Sequence, residues 1–148
     1  MARIPDRLYI DIDDRALYDT IQQEVMFEGK TRKEQFLFAM AVGFKNRVKR
    51  PLETREGGGF FLAKDLHPED EALMNAVAIH DAGSLDALSD KATVFKIAEE
   101  YAHAGIRLLA GKIESTALGS YVKRLEQELH DIYREADAHG RHEESAAG

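Results

Sequence analysis

The sequence predicts a mainly α-helical protein, a compact domain of about five helices, and three observations support this prediction. The chain has 148 residues, enough to bury one core without disulfides or structural metals. Apolar residues recur at spacings of three and four over most of its length. Helix-start signals, in which short polar side chains precede acidic residues, also recur. We therefore expect a single helical domain over residues 1–138 and a disordered, polar tail over 139–148.

The N-terminal part predicts a strand followed by a helix. Residues 7–12 contain the β-branched and aromatic side chains that suit one short strand or an extended segment. Asp13 or Asp14 can cap a helix that ends near Phe27, because a short side-chain oxygen accepts from the free N–H groups of a first turn. Gly29 then supplies a turn. The expected buried face of this helix carries Leu17, Ile21 and Val25.

The next helix has the best-defined start in the chain. Thr31 and Glu34 have the spacing of a capping box, in which each side chain accepts from the other residue's backbone N–H. The run that follows is apolar nearly all round, which predicts burial on most sides and makes this the central helix. Gly43 within it predicts either close approach of another backbone or the start of helix unwinding. Pro51 prevents the helix from continuing.

Two or three further helices are expected in the C-terminal half. One begins at Pro68 with an acidic first turn and runs to His80. After a turn of helix around residues 85–88, Ser89 or Asp90 caps a long helical region. Its two apolar stripes leave open whether residues 91–136 form one bent helix or a hairpin turned at 114–118. The stripes are Val94, Ile97, Tyr101, Ala104 and Leu108, then Leu118, Val122, Leu125, Leu129 and Ile132.

Composition limits the classes of function. There is no cysteine, which excludes disulfides, thiolate zinc sites and a cysteine nucleophile. No run resembles a secretory signal or a membrane span, so we expect a cytoplasmic protein without membrane contact. The net charge is -7, yet residues 30–55 carry eight basic and two acidic side chains, a local charge of +6. The site of function is therefore sought in this basic segment.

The basic segment is predicted to contact DNA. Its cations lie beside three successive glycines and the aromatic pair Phe60 and Phe61, a combination that suits a phosphate backbone. The alternative is a solvated helix end whose cations pair with acidic residues of the same molecule. The candidate DNA-binding residues are Lys30, Arg32, Lys33, Lys45, Asn46, Arg47, Lys49, Arg50 and Arg55.

Carboxylates near this segment raise the question of catalysis. Nuclease chemistry on phosphodiesters usually needs carboxylates that hold Mg²⁺ or Mn²⁺, because hard cations prefer oxygen ligands. Glu34 and Glu53 are the candidate catalytic residues, although no spacing forms a nuclease signature and the metal ligands stay unidentified. Glu126 and His130 share a helix face, which fits a surface ion pair better than a metal site. No motif indicates a nucleotide or haem cofactor.

The run from Lys33 to Asn46, followed by Arg50, Pro51 and Leu52, carries a resemblance to a known family. It resembles a small family associated with bacterial DNA phosphorothioation, which includes dnd-system-associated proteins and SspB-like nickases. The pattern is an apolar helix, then glycine, an aromatic residue, a basic residue and asparagine, then a basic residue before Pro-Leu. The resemblance implies a part in replacing a phosphate oxygen of DNA with sulfur. Carried over residue by residue, it assigns function to Lys33, Glu34, Lys45, Asn46 and Arg50.

Three functions stay open at this level. The resemblance implies a metal-dependent nickase that opens the DNA backbone for sulfur insertion, so whether the protein is an enzyme is undecided. The alternative is a non-catalytic DNA-binding or adaptor subunit that holds DNA for other subunits of a phosphorothioation complex. A third interpretation is a helical scaffold that forms homo-oligomers through the two apolar stripes.

Overall fold

The computed structural model describes residues 4–113 and 118–147, and the described side chains of the last helix are those of residues 123–137. Five α-helices lie in these ranges, together with a two-stranded antiparallel sheet, so the prediction of a mainly α fold is confirmed. No helix in the described ranges is long and apolar enough to cross a membrane. The elements are β1 (Arg7–Leu8), α1 (Arg15–Gln22), α2 (Arg32–Lys45), β2 (Phe61–Leu62), α3 (Pro68–Ala82), α4 (Lys91–Ile113) and α5 (Leu118–Ala147).

The N-terminal segment is held in place by pairing with a strand from the middle of the chain. Strand β1 pairs with β2 in the register Arg7 opposite Leu62 and Leu8 opposite Phe61. A single further bridge joins Asp11 to Arg55. The strand is therefore shorter than the predicted 7–12, and the rest of that segment is extended and ends in a 3₁₀ turn at Ile12–Asp14.

Helix α1 ends five residues earlier than predicted. Glu24 adopts an extended conformation with φ -76° and ψ 139°, which separates α1 from a 3₁₀ turn at Val25–Phe27. Ile21 is fully buried, but Val25 is 83% exposed. The predicted face was therefore wrong at Val25, because the chain leaves the helix before the position at which that side chain would reach the core.

Helix α2 is the central helix, as predicted. The capping box is present, with Thr31 Oγ1 accepting from the Glu34 N–H and Glu34 accepting from the Thr31 N–H. Helix α2 packs most extensively against α4, and the two run antiparallel. A Cβ at Gly43 would lie 2.1 Å from the carbonyl oxygen of Tyr101, so the predicted close approach of another backbone is confirmed.

Helices α3 and α4 form as expected from their first turns. Pro68 opens α3, and Gly83 ends it with φ +69°. Asp90 accepts from the N–H of Ala92 two residues on and caps α4. Leu73 and Val77 are buried as predicted, and both belong to the core that α2, α3 and α4 enclose.

Helices α4 and α5 lie on either side of residues 114–117, so the choice between one bent helix and a hairpin turned at 114–118 falls on residues outside the described ranges. Helix α5 packs against α2, α3 and α4, with Leu129 and Ile132 on the core. In α4, Val94, Ile97 and Tyr101 are buried as predicted. The predicted stripe was wrong at Leu108, which is 38% exposed, because the helix turns Leu109 into the core there instead. Homo-oligomerisation through these stripes stays a prediction. Helix α5 runs to Ala147, so the backbone of residues 139–147 is helical and differs from the disordered tail predicted over 139–148; the described side chains of this helix end at residue 137.

Candidate nucleic-acid interface

The exit from α2 has an unusual backbone. The N–H of Val48 donates to Gly43 O and the N–H of Arg47 donates to Phe44 O, the pair of bonds that defines a Schellman C-cap. The residue that follows the cap in this motif is left-handed and is usually glycine. Here Arg47 occupies it with φ +55°, and it is the only non-glycine residue with positive φ in the described ranges. A side chain in this conformation costs about 1 kcal/mol or more.

Ion pairs engage most of the basic segment, and four of the pairs reach acidic residues outside it. Lys49 reaches Asp81 on α3 at 3.0 Å, and Lys33 reaches Asp70 at 2.8 Å. These partners lie far along the chain, so charge counting within residues 30–55 could not identify them. The full set of pairs is Lys30 with Glu34, Lys33 with Asp70, Lys45 with Glu128, Lys49 with Asp81, Arg50 with Glu53 and Arg55 with Glu99.

The three remaining candidates of this segment have other partners. The guanidinium carbon of Arg32 lies 5.5 Å from the centre of the Phe60 ring. Asn46 caps α2 and donates to Val42 O at 2.8 Å, which is a structural role. Arg47 is exposed and has no carboxylate within ion-pair distance in the described part of the chain.

The structure does not bring Glu34 and Glu53 together. Glu34 lies in the first turn of α2, where the Thr31 N–H bond holds the pKa of its carboxyl below the usual value. Glu53 follows the other end of that helix, beside Asp11, and its side chain is 78% exposed. About 17 Å of helix rise separates Glu34 from Lys45, so the two carboxylates do not meet. The described residues contain no group of three His, Asp or Glu side chains placed to hold a metal.

Glu34 instead shares a polar cleft with residues of α3 and α5. The cleft has a volume of about 420 Å³ and an apolar floor. Burial, with the added negative charges of Asp70 and Glu69, raises the pKa of Tyr133 at its edge to about 12. The structure thus joins Lys30, Lys33 and Glu34 with Glu126 and His130, which the sequence had separated. The polar lining residues are Lys30, Lys33, Glu34, Asp70, Glu126, His130 and Tyr133.

Sequence reasoning missed a buried charged network between the N-terminal segment and α4. Asp14 is fully buried and shares a hydrogen bond with His103 Nδ1, and Arg107 Nε lies 3.6 Å from its other oxygen. Burial raises the pKa of Asp14, against the opposing effects of His103 and Arg107. His103 is buried, whereas His80 is exposed. The available signal was a histidine and an arginine four residues apart on the largely apolar α4.

Asp11 organises the same region from the other side. Its carboxylate accepts from the backbone N–H groups of Asp13, Glu53 and Thr54 at 2.8–3.2 Å. Burial raises the pKa of Asp11, but these three bonds outweigh it and leave the pKa lowered. Asp11 therefore caps the 3₁₀ turn and anchors the segment after Pro51. The predicted cap at Asp13 or Asp14 was wrong, because the Asp14 side chain makes no cap bond at the start of α1 and pairs with His103 instead.

A further buried carboxylate, that of Glu99, lies beside Arg55. It accepts from the Tyr9 N–H at 2.7 Å, and the Arg55 guanidinium lies 3.7 Å away. Only 4% of Glu99 is exposed, and burial raises its pKa from 4.5 to about 7. The folded state therefore holds this proton at pH values where the unfolded state has lost it.

We expect this carboxyl to make stability depend on pH. Its contribution is fully present below about pH 4.5 and is lost as pH rises to about 7, because ionisation then leaves a buried negative charge. At about 1.4 kcal/mol per pKa unit, the loss is about 3 kcal/mol. Urea unfolding from pH 4.5 to 8 checks this, with Glu99→Gln as the comparison. Equal pH slopes for the two proteins would contradict the assignment.

The comparisons with known proteins give one match. The sequence model of the family described as DNA sulphur modification system-associated protein 4 matches residues 11–147, which include all five helices and the buried network. This match confirms the family resemblance predicted from residues 33–52. No curated protein and no solved structure matches the chain.

Proposed function

Because the chain belongs to the family of DNA sulphur modification system-associated protein 4, a dnd-associated family, we propose that it is a DNA-binding component of a bacterial DNA phosphorothioation system. Family membership links the chain to DNA sulphur modification and to the other components of such a system. In the proposal, the cations at the exit of α2 hold the DNA backbone. Other subunits of the complex then act on the DNA that this protein holds.

The observation that carries the proposal is Arg47. A left-handed cap position favours glycine, so arginine there lowers the stability of the fold. Strained residues of this kind concentrate at functional sites. The strained backbone presents an exposed guanidinium that no described carboxylate neutralises. Such a group suits a phosphate, which a guanidinium binds through two parallel hydrogen bonds.

Neighbouring cations can join Arg47 on DNA. Lys49 and Arg50 lie two and three residues after it, and their side chains are about half exposed. Arg50 lies 3.9 Å from Glu53, which is itself largely exposed. Exposed ion pairs of this kind contribute about 0–1 kcal/mol, so a phosphate can replace the carboxylate at little cost. The paired state of these residues in the free protein is therefore compatible with DNA contact.

Arg47→Gly is expected to raise the stability of the fold and to weaken DNA binding. Glycine relieves the left-handed strain, so the free energy of unfolding should rise by about 1 kcal/mol. The same change removes one phosphate contact, so DNA affinity should fall and the slope of log K against log salt should decrease by about one. Thermal unfolding and a salt titration with a fluorescent duplex measure the two effects.

Lys96→Ala provides the control for Arg47→Gly, because it also removes one exposed positive charge, from the middle of α4. It should leave the salt slope at the wild-type value. If Arg47→Gly also left the slope and the affinity unchanged, Arg47 would not belong to the DNA footprint and the proposal would lose its main support.

A second candidate function is metal-dependent nicking, and the polar cleft is the observation that favours it. Glu34 shares this cleft with Asp70, Glu126 and His130. Oxygen and nitrogen ligands of this kind suit Mg²⁺ or Mn²⁺, and Mg²⁺ is often held by one or two carboxylates together with substrate phosphates. The described residues do not fit a metal site made by the protein alone.

Supercoiled plasmid distinguishes the two candidates. Open circles that form with Mg²⁺ or Mn²⁺, and that Glu34→Gln abolishes, would support nicking at the cleft. Binding without open circles in either metal would support the non-catalytic component. Thermal unfolding of Glu34→Gln is needed alongside, because Glu34 also caps α2.

A further inference from the structure

The loop before β2 presents unpaired backbone donors to solvent. Gly57 and Gly58 are exposed, a Cβ at either would meet nothing within 4 Å, and neither N–H has an acceptor among the described residues. The loop is nevertheless held at its ends, since the Phe60 N–H donates to Leu8 O at 2.8 Å. A ligand can therefore approach this backbone closely without displacing a side chain.

Three arginines from three different elements converge on this loop. Arg7 of β1 donates to the carbonyl oxygen of Gly58. Arg15 of α1 pairs with Glu56 at 2.7 Å, and its guanidinium carbon lies 5.2 Å from the centre of the Phe60 ring. Arg32, the first residue of α2, lies 5.5 Å from the centre of the same ring. Among the described residues, Glu56 alone offsets these charges by direct contact, which leaves a local charge of +2.

This arrangement concentrates positive charge beside the loop. Arg15 and Arg32 each lie over the Phe60 ring, and the positive end of the α2 dipole adds to the positive potential at Arg32. The Phe60 ring is buried, so it supports the guanidinium groups and is not itself available to stack on a base. An anion placed over the loop would meet this positive potential and would accept from the free N–H groups.

We propose that Arg7, Arg15 and Arg32, together with the N–H groups of Gly57 and Gly58, form a second contact surface for the phosphate backbone of DNA. This inference rests on the proposed function and adds to it a surface outside the exit of α2. Guanidinium groups fixed on a ring lose little further freedom on binding, and their planar donors match phosphate oxygens. Contacts to phosphate oxygens position DNA and carry no direct sequence information, so this surface is expected to bind duplexes of different sequence alike.

The test compares Arg7→Gln/Arg32→Gln with the wild type on a fluorescent 20-base-pair duplex over a range of salt concentrations. Loss of two phosphate contacts should reduce the salt slope by about two and weaken binding on the order of tenfold near 0.1 M salt. Lys91→Ala is the matched control, because Lys91 also begins a helix and lies 6.0 Å from the centre of an aromatic ring, that of Phe95, but away from the loop. It should bind as the wild type does.

Hydrogen exchange on the unmodified protein gives a second measurement that does not depend on a variant folding. Adding the duplex should slow amide exchange at Gly57 and Gly58. Unchanged exchange there, together with an unchanged salt slope in the double variant, would overturn the inference. If that variant binds normally while Arg47→Gly binds weakly, the second contact surface is contradicted and the proposed function still stands. If the wild type binds no duplex, the proposed function fails as well.

An acidic protein is the other class of partner that could fit the surface. Polyglutamate at matched charge therefore replaces the duplex in a parallel titration. Weak polyglutamate binding that does not depend on Arg7 and Arg32 would support the assignment to nucleic acid. Polyglutamate binding as tight as that of the duplex, and lost in the double variant, would overturn it.

Discussion

Gly105→Ala is expected to lower the free energy of unfolding by roughly 4 kcal/mol, near the upper end for a single substitution. A Cβ at Gly105 would lie 1.8 Å from the carbonyl oxygen of Ala39 and 2.7 Å from the backbone nitrogen of Gly43. Both atoms belong to the α2 backbone, so no rotation of a side chain can relieve the overlap. The helices must separate, which opens the contact between the two central helices. Urea unfolding followed by circular dichroism measures the loss.

Gly111→Ala is the matched control for this prediction. It lies on the same helix, and a Cβ there would meet nothing within 4 Å. Alanine has the higher helix propensity, so the free energy of unfolding should rise by about 1 kcal/mol. The two substitutions should therefore move the urea midpoint in opposite directions. A loss below about 1 kcal/mol at Gly105 would contradict the close crossing of α2 and α4.

His103→Ala is expected to lower the free energy of unfolding by about 3–4 kcal/mol. It removes the hydrogen-bond partner of Asp14, which is fully buried, and breaking a buried pair by deleting one member leaves an uncompensated polar group. Arg107, at 3.6 Å, does not replace that bond. The N-terminal segment should consequently detach from α4 more readily. Urea unfolding at pH 7 measures the loss.

A double-mutant cycle measures the interaction energy between Asp14 and His103. The double variant Asp14→Ala/His103→Ala should lose less free energy of unfolding than the sum of the losses in the two single variants. The reason is that it removes both polar partners and leaves neither one unpaired. His80→Ala serves as the control for loss of an imidazole, since His80 is exposed and should change stability by no more than about 0.5 kcal/mol. Additive single losses would contradict the pairing of Asp14 with His103.

Much of the fold could be predicted because its signals are local. The capping box of Thr31 and Glu34 involves residues three apart, and the apolar run after it could only be a buried helix. Gly43 suggested that another backbone approaches closely, because glycine lowers helix stability and its presence within a strong helix therefore calls for a packing reason. The partner backbone, at Tyr101, is far along the chain and had no sequence signal.

The wrong or missing elements depended on contacts between distant segments. Val25 fitted the spacing of α1, but the chain turns out of the helix at Glu24 before that spacing applies. The β1–β2 pair joins segments more than fifty residues apart and is two residues long on each side, too short to give an alternating pattern. Short strand pairings of this kind cannot be predicted from the sequence, because they form only when the packed helices hold both segments next to each other.

For the candidate interface, the sequence by itself determined the family, the central helix and the excess of cations over residues 30–55. Tertiary structure decided which of those cations stay free. It paired Lys33 and Lys49 with acidic residues of α3, left Arg47 strained and without a carboxylate partner among the described residues, and brought Arg7 and Arg15 to the glycine loop. The physical reason is the sequence separation over which each kind of interaction acts. Capping and helical periodicity act over three or four residues, whereas the charge that a ligand meets depends on every group within a few ångströms, wherever it lies in the chain.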